Sequence, residues 1–150
     1  MPEAMVEQVS VFLQNERGRL AEVCRALGDG GFNMRALMVA DTAEYGVARI
    51  LCDRPHAARN ALEAAGFGAS LAEVVAVVVP DRPGGLADVL EQLGTRGVDV
   101  EYAYCFVEPE GDSAVDIFRV DDPQVARRAL SDADVRTLDA ADLYEPDAAG

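Results

Sequence analysis

Two short segments carry the groups needed to hold both ends of an α-amino acid. They read Asn15-Glu16-Arg17-Gly18-Arg19-Leu20 and Asp81-Arg82-Pro83-Gly84-Gly85-Leu86, a shared Asn/Asp-x-x-Gly-x-Leu spacing. Asn15 or Asp81 offers a side-chain oxygen to a turn, a cap or a ligand ammonium. Gly18 or Gly84 lets the backbone approach a ligand or another chain closely. The helix expected to follow presents unpaired N–H groups suited to a carboxylate. Leu20 or Leu86 would begin its buried face. Strand–turn–helix joints also use Asn, Asp and Gly for turn geometry alone; recurrence of the pattern in the same place favours the functional reading.

The remaining chemistry is sparse. His56 is the only histidine, so no Ser/His/Asp triad can be assembled, and it reads as a solvated residue in a helix first turn. Gly28-Asp29-Gly30-Gly31 is a helix stop rather than a dinucleotide fingerprint. Glu108, Glu110, Asp112 and Asp116 group around a hairpin and read as a solvated edge. Cys24, Cys52 and Cys105 are widely spaced and odd in number, which argues against a disulfide framework or a zinc site and for inert thiols in a reduced, cytoplasmic protein. A net charge of -14 repels nucleic-acid phosphates and anionic membranes. No apolar run is long enough to span a bilayer, and the acidic start is not a signal peptide. The expectation is a non-enzyme with no cofactor and no metal.

The elements that position the two segments form an internal repeat. Leu20, Val23, Cys24 and Leu27 recur as Leu86, Val89, Leu90 and Leu93, each set at helical spacing on one apolar face. Asp53, Pro55, Ala58, Ala61 and Leu62 recur as Asp121, Pro123, Ala126, Ala129 and Leu130. The offset grows from 66 to 68, which places two extra residues in the hairpin at 109–112. Strands are expected at 6–13, 32–41, 44–52 and 66–73, then at 74–79, 98–108, 113–120 and 135–138. A terminal turn at 142–144 and a frayed end from Asp147 to Gly150 complete the reading. Because 74–79 is apolar throughout, both its faces should be covered.

Strand, helix, strand, strand, helix, strand is the split βαβ plan. With the repeated joints, Gly31-Phe32-Asn33-Met34, Gly97-Val98-Asp99-Val100 and the Pro-led second helices, the chain resembles tandem ACT-domain proteins over about residues 5–145. The resemblance implies an α+β fold of two ferredoxin-like βαββαβ units, 5–72 and 73–145, with antiparallel sheets and helices on one face. It implies a stand-alone, non-enzymatic regulator that binds an amino acid at interfaces between ACT units. By that resemblance Asn15, Arg17, Gly18 and Leu20 line one site with Asn33 and Met34, strand two being taken to start beside the loop. Asp81, Pro83, Gly84, Leu86, Asp99 and Val100 line the other. The implied partners are the small-molecule ligand, a second copy in a homodimer and a regulated protein, with no nucleic acid and no membrane. The alternative is an interaction and dimerisation module without a ligand.

Overall fold

The computed structural model describes residues 5–14, 17–41, 45–107 and 111–148. Its elements run β1 (Val6–Gln14), α1 (Arg19–Asp29), β2 (Met34–Asp41), β3 (Tyr45–Cys52), α2 (Pro55–Ala64), β4 (Ala69–Pro80), α3 (Gly85–Thr95), β5 (Val100–Val107), β6 (Ser113–Val120), α4 (Pro123–Asp132), β7 (Thr137–Leu138) and α5 (Ala140–Leu143). They divide into two compact units. The first holds residues 7–72 with the segment that begins at Ala140; the second holds residues 73–139 with the segment that ends at Val6.

Each unit repeats one topology. Strand order in the first is β2-β3-β1-β4, and in the second β5-β6-β4-β7. The registered pairs are antiparallel, with Val9 opposite Ile50 in the first unit and Val77 opposite Asp116 in the second. Alternation then decides which side chains meet the helices. In the first unit Val9, Val11 and Leu13 join Ala48, Ile50 and Cys52 beneath Val23, Leu27, Ala58 and Leu62. In the second, Val75, Val77 and Val79 join Phe118 and Val120 beneath Val89, Leu93, Ala126 and Leu130. Burial pushes the Cys52 thiol up to about 12, with Asp53 adding to the effect, so it packs as a small apolar group.

Two expected strands, 66–73 and 74–79, are one. β4 runs unbroken from Ala69 to Pro80, because no turn residue stands at Glu73-Val74 to interrupt it. Ala69 and Leu71 pack on the first core, while Val75, Val77 and Val79 belong to the second.

The second helices begin alike and are capped differently. In α4, the Asp122 carboxylate accepts the N–H groups of Gln124 and Val125 at 3.1 and 3.3 Å. In α2 the corresponding residue is Arg54, held left-handed at φ 48, which caps nothing. Asp147 does it instead, accepting the N–H groups of His56 and Ala57 at 2.9 and 3.1 Å. The segment leading to it is bound as well. The Glu145 N–H donates to Asp53 at 2.8 Å, the Arg54 N–H to the Glu145 carbonyl at 2.6 Å, and the Glu7 N–H to the buried Tyr144 hydroxyl at 3.0 Å. The expectation of fraying from Asp147 is therefore corrected at that residue: its carboxylate satisfies a helix end that the helix's own flanking residue leaves open. The rest of that expectation, at 149–150, lies outside the described residues. His56 is half-exposed, as expected of a first-turn residue, and its Nε2 lies 2.8 Å from Glu7.

Asp116 departs from the solvated edge expected of it. It lies on the helix-facing side of β6 between Val77 and Cys105 and is 4% exposed. Desolvation raises its pKa. Its counterpart in the first unit is Ala48, wholly buried. Asp112 is exposed, and Glu108 and Glu110 lie outside the described residues.

These contacts have measurable consequences. Replacing Asp147 with Ala should cost about 1 kcal/mol, the usual worth of an N-cap, read as a lower urea midpoint and as faster hydrogen exchange in the first turn of α2. Because desolvation penalises the charged form of Asp116, Asp116→Ala should stabilise the protein at pH 7. A folded pKa raised above the unfolded value favours folding below the unfolded value, and that contribution is lost as pH rises through the folded one. The advantage of Asp116→Ala should therefore shrink toward about pH 4, measured by urea unfolding across pH.

Candidate functional site

Each joint is a strand end, a left-handed glycine and a helix start. Gly18 sits at φ 89, ψ -1 before α1, and Gly84 at φ 82, ψ -6 before α3. Their carbonyls accept the first helical hydrogen bonds, from Glu22 at 3.0 Å and Asp88 at 2.9 Å. The residue at each Ncap is a glycine and so offers no capping side chain of its own. In the second joint the Gly85 N–H donates to the Arg82 carbonyl at 3.0 Å; the first-turn N–H groups after it lack an intrahelical partner, and the helix dipole favours an anion there.

The glycines act through backbone angle rather than closeness. Among the described residues a Cβ on Gly18 would meet nothing within 4 Å, and on Gly84 only Arg82 at 3.9 Å. Close approach belongs to the next residue of the second joint: a Cβ on Gly85 would lie 2.2 Å from the Pro80 carbonyl oxygen. The Gly84-Gly85 pair was the available signal for this, since one glycine suffices for the turn.

Among the other joint residues, Arg17, Asp81 and Pro83 are exposed at the strand–helix turn, with the Asp81 N–H bonded to the Asp112 carbonyl at 2.9 Å. Asn15 lies outside the described residues. Leu20 and Leu86 do not begin the buried faces. They are 37% and 39% exposed, and Leu90 is 38% exposed, while Val23 with Leu27 and Val89 with Leu93 fill the cores. The leucines occupy one flank of each helix, off the line that points at the sheet. Ion pairs cross the first turns, Arg19 to Glu22 at 2.7 Å and Arg82 to Asp88 at 2.9 Å.

Asn33 and Met34 stand at the other end of their sheet. Gln14, at the joint, is opposite Tyr45, whereas Met34 is opposite Cys52. Asp99 and Val100 are likewise remote from their joint: Pro80 is opposite Ser113 and Val100 opposite Val120. The reason is topological. The crossover helix carries the chain back along the sheet, about 16 Å for the 11 residues of α1, so the first two strands are parallel and start together. Within a unit the structure groups Arg17, Gly18 and Leu20, and separately Asp81, Pro83, Gly84 and Leu86; it leaves Asn33, Met34, Asp99 and Val100 apart from them.

In the second unit, Cys105 is exposed and adjoins Asp116. Burial raises its pKa, and the charges of Asp116 and Asp81 raise it further, so the thiol stays protonated. Among the described residues no three His, Cys, Asp or Glu side chains gather to hold a metal ion. Nor is any described helix long and apolar enough to cross a membrane.

By sequence, no curated protein matches. Among solved structures, a Bacteroides thetaiotaomicron protein is 33% identical with a TM-score of 0.87, covering 93% of this chain and 96% of its own. The ligand-free regulatory subunit of aspartate kinase from Thermus thermophilus is 17% identical with a TM-score of 0.64, over 87% of this chain and 93% of its own. The regulatory subunit of aspartate kinase from Thermus flavus is also 17% identical, with a TM-score of 0.62, over 87% and 94%. At that identity the two subunits share the fold. The sequence pattern of the ACT domain pair matches residues 4–145, and with it the doubled β-α-β-β-α-β order above: the chain belongs to the ACT domain pair family.

Proposed function

We propose that this protein is a non-enzymatic regulator that binds an amino acid at its strand–helix joints. ACT domains bind small-molecule ligands and often oligomerise. The observation that supports the reading most directly is the pair of joints themselves. Gly18 and Gly84 share one left-handed conformation, and each is the Ncap of the helix that follows, with no side chain of its own to cap it. An amino-acid carboxylate is the right size and charge for such an N-terminus. Arg17 in one joint and Asp81 with Pro83 in the other would tune what each accepts. On this reading the protein works in the cytoplasm, as a homodimer whose assembly or partner contacts respond to the ligand.

A second reading has its own support. Leu20, Leu86 and Leu90 are exposed on helix flanks, and Leu37 and Val39 are 42% and 45% exposed on β2, which ends its sheet. Apolar residues at a sheet edge suit a dimer interface, and the joints would then serve assembly alone.

Thermal-shift measurements over the twenty amino acids separate the two. At a hundredfold excess over its Kd, a ligand stabilises the native state by about 2.7 kcal/mol, a shift of several degrees. Gly84→Val, strained at φ 82, and Leu86→Asp, which sets a negative charge beside the first turn of α3 without filling a core, should each weaken the response by about tenfold or more. If no amino acid shifts the melting temperature while Leu37→Asp dissociates a dimer, the interaction module is the better account.

A further inference from the structure

The two units differ most in the groove between the first helix and the turn that follows the second helix. In the first unit the floor of this groove is covered from within, so that it does not reach the sheet. The Arg19 guanidinium lies 4.6 Å from the centre of the Phe67 ring while paired to Glu22, a cation–π stack. What remains is a shallow, more open depression of about 610 Å³ along α1, walled by Ala65 and Phe67 and reaching no strand residue.

In the second unit the corresponding residues are Gly85 for Arg19 and Val135 for Phe67. Both large groups are gone. The result is a cavity of about 390 Å³ that reaches β4 at Val78 and Pro80 and is lined as well by Val89 and Val135. Gly85 cannot be refilled by a side chain, because of the Pro80 carbonyl against it. The cation is nevertheless retained: Arg82 lines the cavity and pairs with Asp88, the counterpart of Glu22, at 2.9 Å. An arginine held by a first-turn carboxylate thus stands over a groove from which the aromatic ring is missing.

Two opposite charges also line the groove, Asp134 and Arg136, both exposed. Asp134 is left-handed at φ 58, where the first unit has Gly66 at φ 93. A side chain in that conformation costs on the order of 1 kcal/mol relative to glycine, so the second unit carries a carboxylate where a glycine would be easier. An apolar pocket with a cation over it and one charge of each sign at its edge matches a small molecule with an aromatic ring and a zwitterionic head.

We propose that this groove of the second unit is an additional binding site, for an aromatic amino acid whose ring takes the place that Phe67 holds in the first unit, beside Arg82 and Val135, with its ammonium and carboxylate met by Asp134 and Arg136. The site is separate from the flank of α3 that carries Leu86 and Leu90. Its residues Gly85, Asp88, Val89 and Gln92 follow a different stripe of the helix.

The test is calorimetric titration of the full chain with L-phenylalanine. Val135→Phe copies the first unit and should fill the groove from within, weakening binding by about tenfold or more while the melting curve stays cooperative. Asp134→Gly, which copies Gly66, should weaken L-phenylalanine but leave 3-phenylpropanoate, which lacks the ammonium, unchanged. Arg136→Ala should weaken L-phenylalanine but leave phenethylamine, which lacks the carboxylate, unchanged. Absence of L-phenylalanine binding at millimolar concentration overturns the proposal, as does equal affinity in wild type and Val135→Phe. L-Phenylalanine binding that survives Val135→Phe and is lost in Leu86→Asp belongs to the joint and also overturns it. Conversely, loss in Val135→Phe with retention in Leu86→Asp supports the groove whatever the joints bind.

Discussion

Two hydrophobic cores depend on one strand. β4 gives Ala69 and Leu71 to the first and Val75, Val77 and Val79 to the second, all at odd positions. Side chains alternate strictly along an extended chain, so within each unit it is the odd positions that meet that unit's core. One residue inserted between Val75 and Val79 would turn part of that row away from its helices. The second half is buried on both faces: Val74, Val75, Ala76, Val77 and Val79 are all at most 2% exposed. What reads as two adjacent strands in a repeat is one element under two sets of demands.

That constraint explains what could be read from the amino acids alone. Periodicity gave the four long helices and the strands nearly in place, apart from the two that are the single β4, because each apolar stripe has to face a core and the glycines at 31 and 97 take left-handed angles that end the helices. Information carried by distant residues stayed hidden. Nothing near Arg54 announces that Asp147 will cap its helix. Asp116 sits among carboxylates that suggest a wet hairpin, yet strand pairing turns it inward against Val77. Leu20 and Leu86 fit the helical period, but in a first turn the period does not say whether the sheet extends far enough to cover them.

The candidate site was half legible for a related reason. The joints are local motifs, so their sequence predicts their conformation, and Gly18 and Gly84 agree in both backbone angles to within 7°. Grouping Asn33 and Asp99 with them required the path of the crossover, and a parallel first and second strand puts the start of the second at the far end. The divergence of the units was legible as letters, Arg19 against Gly85 and Phe67 against Val135, and acquired meaning only when the first pair proved to be stacked.

The terminal segment bound beside α2 has a consequence for how such a protein can be divided. Residues beyond 139 complete the first unit, while the segment up to Val6 goes with the second, Met5 meeting Gln124 and Arg127 through its sulfur. A cut at the centre of β4 would therefore yield two fragments, each carrying a piece that the other needs. The repeat is a unit of ancestry but not of excision: neither half, taken at its sequence boundary, is a module that can be transplanted whole.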